Sequence, residues 1–302
     1  MTPETPAGTG AVPAVRVGLV GAGGWAELFH APLLALSAGT ELAGVWARRP
    51  DEAERVAAPY GAQGFSRFEE LVEQVDALAF AVPPDVQAEL AIQGAEAGKA
   101  LLLEKPIALD LGRARALADA VDGAGVPTQM VLTWRYADSV RRFVDACATA
   151  EPLGGRGHFL TAGLLGGMFT TPWRLERGPL YDLGPHVVDL LAAALGPVAE
   201  VAARGDLHRW VELQLVHETG VVSQASLTAY SQLDPGRSGV EVYTADGVIE
   251  VDTAEVGADA FTRIGVEFAE TARGKPHPLD VHHGLVLQQV IADAGRQLGE
   301  RG

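Results

Sequence analysis

The sequence predicts an α/β protein: a doubly wound parallel sheet in the N-terminal half, then a second α/β unit on a largely antiparallel open sheet. Three observations carry this. Continuously apolar runs alternate with amphipathic stretches from Val15 to Trp134, as parallel strands buried on both faces alternate with helices. The first of those runs breaks abruptly into Gly21-Ala22-Gly23-Gly24. Beyond Ala150 the apolar residues alternate with polar ones, as in strands with one face in water.

Residues 1–14, rich in Pro, Gly, Thr and Ala, are expected to be a disordered tail. They carry neither the basic region nor the apolar core of a secretory signal, and the expected location is the cytoplasm. Val17 to Val20 reads as a buried strand, followed by a glycine turn and an amphipathic stretch containing Leu28, Leu33 and Leu34. Strand, glycine turn and helix are the setting of a dinucleotide-binding fingerprint, here G-x-G-x-x-A. Gly21 allows the tight turn and Gly23 a close approach to a pyrophosphate, with Gly24, Trp25 and Ala26 completing the contact surface at the helix N-terminus. The same turn also occurs as a purely structural element.

Leu42 to Trp46 reads as the second strand and ends in Ala47-Arg48-Arg49. NAD sites usually place an acid there to meet the ribose, whereas arginine suits the 2′-phosphate of NADP. Arg48 and Arg49 therefore favour NADP over NAD, the alternative being a solvated loop. Ser66 and Glu69 have the spacing of a capping box. Asp76 to Val82 is a third apolar strand, closed by Pro83-Pro84, and a helix spans Val86 to Ala97. Ala100 to Leu103 is a strand ending in Glu104-Lys105-Pro106. A helix over Leu111 to Val121 and a strand over Pro127 to Trp134 complete the half. Ligands of such sheets sit beyond the carboxyl ends of the strands. The glycine turn, Arg48-Arg49, Pro83-Pro84 and Glu104 to Pro106 all fall there.

After a helix near Ser139 to Ala150, the strands of the second half alternate. Val211, Leu213 and Leu215 share one face, and Trp210, Glu212 and Gln214 the other. Hairpin turns are expected at Glu218 to Gly220 and Asp246-Gly247, and a terminal helix over Leu285 to Leu298. Its helices suffice to cover one face of this sheet, so a homodimer or homotetramer through the bare face is expected.

The 302 residues suffice for two domains, 15–134 and 135–302. A net charge of −16 argues against nucleic acid or an anionic membrane as partner. No apolar stretch is long enough to span a bilayer. The single cysteine, Cys147, excludes an intrachain disulfide and a cysteine-rich zinc site, and no metal is expected.

A second constellation is Tyr181-Asp182-Leu-Gly-Pro-His186-Val-Val-Asp189. Asp182, His186 and Asp189 are spaced to share a helix face; Gly184-Pro185 marks the helix start, with Pro185 at its first position and Asp182 in the entering turn. A carboxylate beside an imidazole supplies a tunable proton donor or acceptor. A capping Asp with a half-buried His has the same spacing. His30, His217 and His282-His283 carry no assigned role, the last pair being expected to face solvent.

With both constellations in hand, the chain resembles the glucose–fructose oxidoreductase, inositol dehydrogenase and rhizopine-catabolism (Gfo/Idh/MocA) family from Val15 to the C-terminus. Glu104-Lys105-Pro106 is the most specific stretch, and Tyr181 to His186 is similar to the family's D-x-G-x-H segment. The resemblance implies a Rossmann domain followed by an α/β domain with an open sheet. It implies a nicotinamide-dependent oxidoreductase acting on a sugar, polyol or related carbonyl compound. Lys105, Asp182 and His186 align with the family's catalytic positions. Arg135 matches an arginine near the site, and Trp173-Arg174 a segment that approaches the substrate. His186, oriented and kept charged by Asp182, is expected to be the main acid/base with Lys105 polarising the reacting oxygen; the reverse assignment stays open. Gln87 stands where many members carry His. A catalytically silent cofactor-binding regulator and an NAD-dependent glycoside hydrolase are the alternatives on the same fold.

Overall fold

The computed structural model describes residues 12–254 and 256–299. Most of the expected N-terminal tail, 1–11, lies outside them. The first half contains strands β1 (Val15–Val20), β2 (Thr40–Trp46), β3 (Gln63–Phe65), β4 (Ala77–Phe80), β5 (Ala100–Glu104) and β6 (Thr128–Val131). Between them lie helices α1 (Ala31–Leu36), α2 (Pro50–Ala57), α3 (Phe68–Gln74), α4 (Pro84–Glu96) and α5 (Leu111–Ala124). The strands form one parallel sheet in the order β3-β2-β1-β4-β5-β6. That is the doubly wound arrangement the apolar runs predict. The order reverses beside β1, so a ligand-sized crevice opens at its carboxyl end. β4 is buried along its whole length, as is β5 up to Leu103, because helices cover both faces.

The second half contains α6 (Asp138–Cys147), β7 (Pro152–Leu160), α7 (Pro172–Asp182), α8 (Gly184–Leu195), β8 (Val198–Asp206), β9 (Trp210–His217), β10 (Val222–Thr228), β11 (Arg237–Thr244) and β12 (Gly247–Asp252). Helices α9 (Ala258–Ala272) and α10 (Val281–Gln297) end the described chain. The second sheet has the order β12-β11-β7-β10-β9-β8 and is antiparallel except where β10 runs parallel to β7. Both expected hairpins are present, at Glu218 to Gly220 and at Asp246-Gly247. α6, α8 and α10 pack on this sheet. Val211, Leu213 and Leu215 are buried, while Trp210, Glu212 and Gln214 stay exposed on the opposite face.

Three local expectations are corrected. The cap of α3 is Arg67, and no side chain caps it, so Ser66 and Glu69 do not form the capping box. Pro84 does not merely end β4; it opens α4, where its missing N–H costs nothing. Leu28 is 68% exposed although Leu33 and Leu34 are buried. The reason is a π-helical turn over Ala26–His30, in which Ala31 donates to the carbonyl five residues back and shifts the face by a residue. α9 and α10, with the segment leading into α10, dock on the first unit. Met130 N–H donates to Leu279 O at 2.7 Å and Gln129 Nε2 to Ile264 O at 3.1 Å.

Candidate active site

Two adjoining hollows lie between the sheets. The first, about 170 Å³, is bounded by Gly23, Gly24, Trp25, Pro83, Pro84 and the Glu104–Pro106 turn. The second, about 280 Å³, holds Lys105, Asp182 and His186 among aromatic side chains. Trp25, Glu104, Lys105, Phe169 and Arg174 line both.

The glycine turn fits a dinucleotide. Gly21 has φ 122°, and a Cβ there would sit 2.4 Å from Ala81 O, so only glycine makes this turn. A Cβ on Gly23 would meet nothing within 4 Å, which leaves its backbone open to a pyrophosphate. Gly24 lies under Met168 of the β7–α7 loop, whose terminal carbon would be 3.3 Å from a Cβ. Ala26 is fully buried in the turn that follows and shapes the site from beneath. At the end of β2, Arg48 and Arg49 are exposed; Arg49 is paired with Glu52, while no hydrogen bond holds the Arg48 side chain among the described residues.

Glu104 ends β5 and carries the Lys105 turn. Its Oε1 accepts from Trp25 Nε1 at 2.6 Å and pairs with His30 Nε2 at 2.9 Å. Burial pushes the Glu104 pKa up, but the hydrogen bonds from His30 and Trp25 and the nearby Lys105 charge outweigh it and hold the pKa below the ordinary carboxylate value. The fully buried Gln87 clamps the same turn: its Nε2 donates to Glu104 O at 2.8 Å and its Oε1 accepts from Glu104 N–H at 2.9 Å. The Lys105–Pro106 peptide is cis.

Asp182 arrives from α7, which is broken at Gly178. That residue has φ 66°, and a Cβ on it would fall 1.8 Å from Leu207 O. Lys105 Nζ donates to Asp182 Oδ1 at 3.0 Å and to its carbonyl at 2.8 Å, and Arg174 Nε donates to the same Oδ1 at 2.9 Å. Burial raises the pKa of Asp182, yet the two cations bring it down to about 2. Arg174 also lies over the Trp173 ring, 4.4 Å from its centroid. Trp173 itself is buried and lines the smaller hollow.

The Asp182–His186 pairing is corrected. α8 starts at Gly184, where the Gly184-Pro185 pair placed it, but Asp182 ends the preceding helix α7 instead of lying in an entering turn, so Asp182 and His186 sit on separate helices. No hydrogen bond joins them, and the Asp182 carboxylate is engaged by Lys105 and Arg174 instead. His186 is buried beside Trp134, with ring centroids 5.1 Å apart, and its Nδ1 has no partner. Burial first, then the Lys105 charge, push its pKa down to about 3 against a weaker opposing pull from Asp182. It is a neutral imidazole near pH 7, not the charged one expected.

Asp189 and Arg135 lie away from the cleft. Arg135 NH1 donates to Asp189 Oδ1 at 2.8 Å, and His283 Nε2 meets the same oxygen at 2.6 Å. Arg135 borders a different hollow, with Arg141, Glu267 and His277. His283, expected in solvent, is therefore half-buried and bonded. His30 and Gln87 were assigned no role in the sequence, and both hold Glu104. Trp25 and His30 reach one carboxylate across a five-residue interval that the π-helical turn brings together and α-helical periodicity does not. Among the described residues, no group of three or more His, Cys, Asp or Glu is placed to hold a metal ion. No helix among them is long and apolar enough to cross a membrane.

Two family models cover most of the chain: the oxidoreductase family NAD-binding Rossmann fold over residues 15–131, and the GFO/IDH/MocA C-terminal domain over 138–250. The chain belongs to the Gfo/Idh/MocA oxidoreductase family. The chain is 30% identical over 187 residues to glucose-6-phosphate 3-dehydrogenase of Bacillus subtilis (strain 168), a match covering 58% of this chain and 52% of that one. It is 28% identical over 219 residues to scyllo-inositol 2-dehydrogenase (NAD(+)) of the same strain, covering 70% and 62%. The chain thus spans between half and two thirds of the length of these Gfo/Idh/MocA relatives. Among solved structures, GenD2 from gentamicin A biosynthesis in complex with NAD superposes with a TM-score of 0.82 at 22% identity, over 99% of this chain and 98% of that one. At that identity the likeness shows the family fold.

Proposed function

We propose that this Gfo/Idh/MocA member is a nicotinamide-dependent dehydrogenase or reductase acting on the CH–OH group of a sugar or polyol, or on its carbonyl form. The observation that carries the reading is the continuity of the two hollows through Lys105: the lysine beside the glycine-turn crevice also enters the cleft that holds His186 and Asp182. A nicotinamide bound at that crevice would give or take the hydride. The protein supplies the rest. The glycine turn and the first helical turn would hold the phosphates, and Pro83, Pro84 and Glu104, which line the same hollow, would bound the rest of the cofactor site. Lys105, aimed by Gln87 through the turn and by Asp182 at its tip, carries the proton of the reacting oxygen. His186, neutral, hydrogen-bonds that oxygen through Nε2, its Nδ1 being enclosed. The low pKa of His186 makes it a poor base, which supports Lys105 as the proton carrier and His186 as the polarising group. Asp182 and Arg174 are positioning residues. Trp173 supports Arg174, and Arg135 acts from behind α8 through Asp189.

The cofactor reading is NADP ahead of NAD, because the end of β2 offers Arg48 and Arg49 and no acid between Trp46 and Pro50. The assembly reading is a homodimer or homotetramer. A panel of sugars, polyols and keto forms, followed by nicotinamide absorbance with both cofactors, tests the activity. Turnover of none would overturn it. Equal binding of NADH and NADPH, tighter binding of NADH, or a ratio unmoved by Arg48→Ala with Arg49→Ala, would overturn the cofactor choice.

A further inference from the structure

The cleft around Lys105 has charges that cancel. Its carboxylates are Glu104 and Asp182, its cations Lys105 and Arg174, and among the described residues lining it there is no other Lys, Arg, Asp or Glu. Both cations are already committed to Asp182, at 3.0 and 2.9 Å. Arg174 is held further by Thr171 Oγ1 at 3.2 Å and by the Trp173 ring beneath its guanidinium. Glu104 is likewise occupied by Trp25 and His30. His186 adds no charge near neutral pH. The remaining wall is mainly apolar, with aromatic rings from Trp25, Trp134, Phe159, Phe169 and Phe261 beside a few aliphatic side chains, and Thr133, Thr161 and Thr253 are its neutral polar groups. At about 280 Å³ the cleft lies at the lower edge of small-molecule pockets, which run from roughly 300 to 1,000 Å³.

We infer that the cleft takes an uncharged polyol or cyclic sugar of single-ring size, seated with its C–H face on the aromatic wall, and discriminates against phosphorylated, nucleotide-linked and carboxylated forms. The inference rests on the reading of this cleft as the substrate site of a sugar or polyol oxidoreductase. An arriving phosphate or carboxylate meets no unpaired cation. It must stay unpaired in a partly enclosed, mainly apolar cleft, or draw Lys105 or Arg174 away and strand Asp182. Either outcome opposes binding, so the Asp182 network selects by rejection as well as by fit. A neutral ring meets no such opposition. Its C–H face covers apolar surface while its hydroxyls reach Thr133, Thr161 and the His186 ring.

Calorimetric titration of the NADPH-bound protein with matched pairs tests this: a hexose against its 6-phosphate and its uronate, and a cyclitol against its monophosphate, with turnover followed alongside. The neutral member of each pair is expected to bind roughly 30-fold or more tightly than the charged one, the scale set by a buried charge left without its partner. Asp182→Asn releases both cations and should narrow or reverse the gap. Arg174→Gln removes a cation that no ligand was using and should leave the gap in place, which keeps the test sharp if Asp182→Asn fails to fold. Charged members binding as well as neutral ones, or a selective loss of their binding in Arg174→Gln, would overturn the charge selection and leave the oxidoreductase reading standing. Neither binding nor turnover of any member with either cofactor would overturn that reading itself, and the selection with it.

Discussion

Lys105, Asp182 and Arg174 share one buried ion-pair cluster, and His186 stands beside it without joining it. That arrangement separates two jobs that the spacing of Asp182 and His186 had assigned to one pair. A proton must move at the reacting oxygen, and removing a group that moves or polarises it typically costs about 10²–10⁴-fold in rate. Lys105→Ala and His186→Ala are each expected to lower turnover of a verified substrate by that order while leaving cofactor affinity within a few-fold. Steady-state kinetics and cofactor titration check both halves. His186 also carries a pH signature. Its folded-state pKa of about 3 lies below the ordinary 6.5, so below pH 6.5 the unfolded chain binds a proton that the folded one refuses. The stability from keeping His186 neutral is complete above pH 6.5 and drains away as the pH falls towards 3. Between pH 7 and 5 this is about 2 kcal/mol from one group. Urea denaturation at the two pH values should show that loss in the parent and a markedly smaller one in His186→Gln.

The turn Glu104-Lys105-Pro106 works as a unit because Gln87 of α4 spans it. Gln87 Nε2 also approaches Pro106 O at 3.3 Å and Ile107 O at 3.4 Å, so one buried amide satisfies several carbonyls. Gln87→Ala strands those groups without reaching the cleft. The expected cost is about 1–3 kcal/mol in denaturant unfolding, with a fall in kcat, since Lys105 is no longer aimed. A kcat equal to the parent's would remove Gln87 from the positioning machinery. The break in α7 is the second device of this scale. Gly178→Ala sets a methyl against Leu207 O at a backbone angle that L residues rarely adopt, and should destabilise the fold more than any exposed change on the same helix. Comparison of its thermal midpoint with that of Glu176→Ala, an exposed position two residues earlier, decides the matter.

At the scale of the whole molecule, one face of the second sheet carries no packed helix among the described residues. Paired rows cross it, among them Glu250–Glu241–Arg156–Gln224–Gln214, and Trp210 and Val248 are exposed. A face of that extent, polar yet carrying large apolar side chains, suits a self-complementary contact better than open water. Light scattering at micromolar concentration is expected to give a dimer or tetramer, and Trp210→Glu to weaken it; a monomeric parent would refute the assembly. At this scale α9 and α10 matter as well. α10 packs on β8 of the second sheet and on β6 of the first, where Val281 N–H donates to Thr128 Oγ1 at 2.9 Å, and α9 docks on the first sheet through Ile264 O. These contacts tie the cleft's two walls to each other.

Much of this was legible in the residues alone. Apolar runs broken by Gly and Pro marked every strand of the first sheet except the three-residue β3, and alternation marked β9 to β12, because burial on two faces or on one imposes those patterns. The glycine turn and the Glu104-Lys105-Pro106 and Asp182–His186 segments were visible because each needs particular residue types in a short stretch. Partners distant in sequence were not. Nothing local connects Lys105 with Asp182, Glu104 with His30 and Trp25, or Arg135 with Asp189 and His283; tertiary packing brings them within hydrogen-bond reach, across the two units for Lys105 and Asp182 and within one unit for the others. Protonation followed the same division. Asp182 and His186 are ordinary titratable residues by type. Enclosure among Trp134 and Phe159, and the placing of two cations on one carboxylate, made the histidine neutral and the aspartate firmly ionised, since both depend on desolvation and distance in three dimensions.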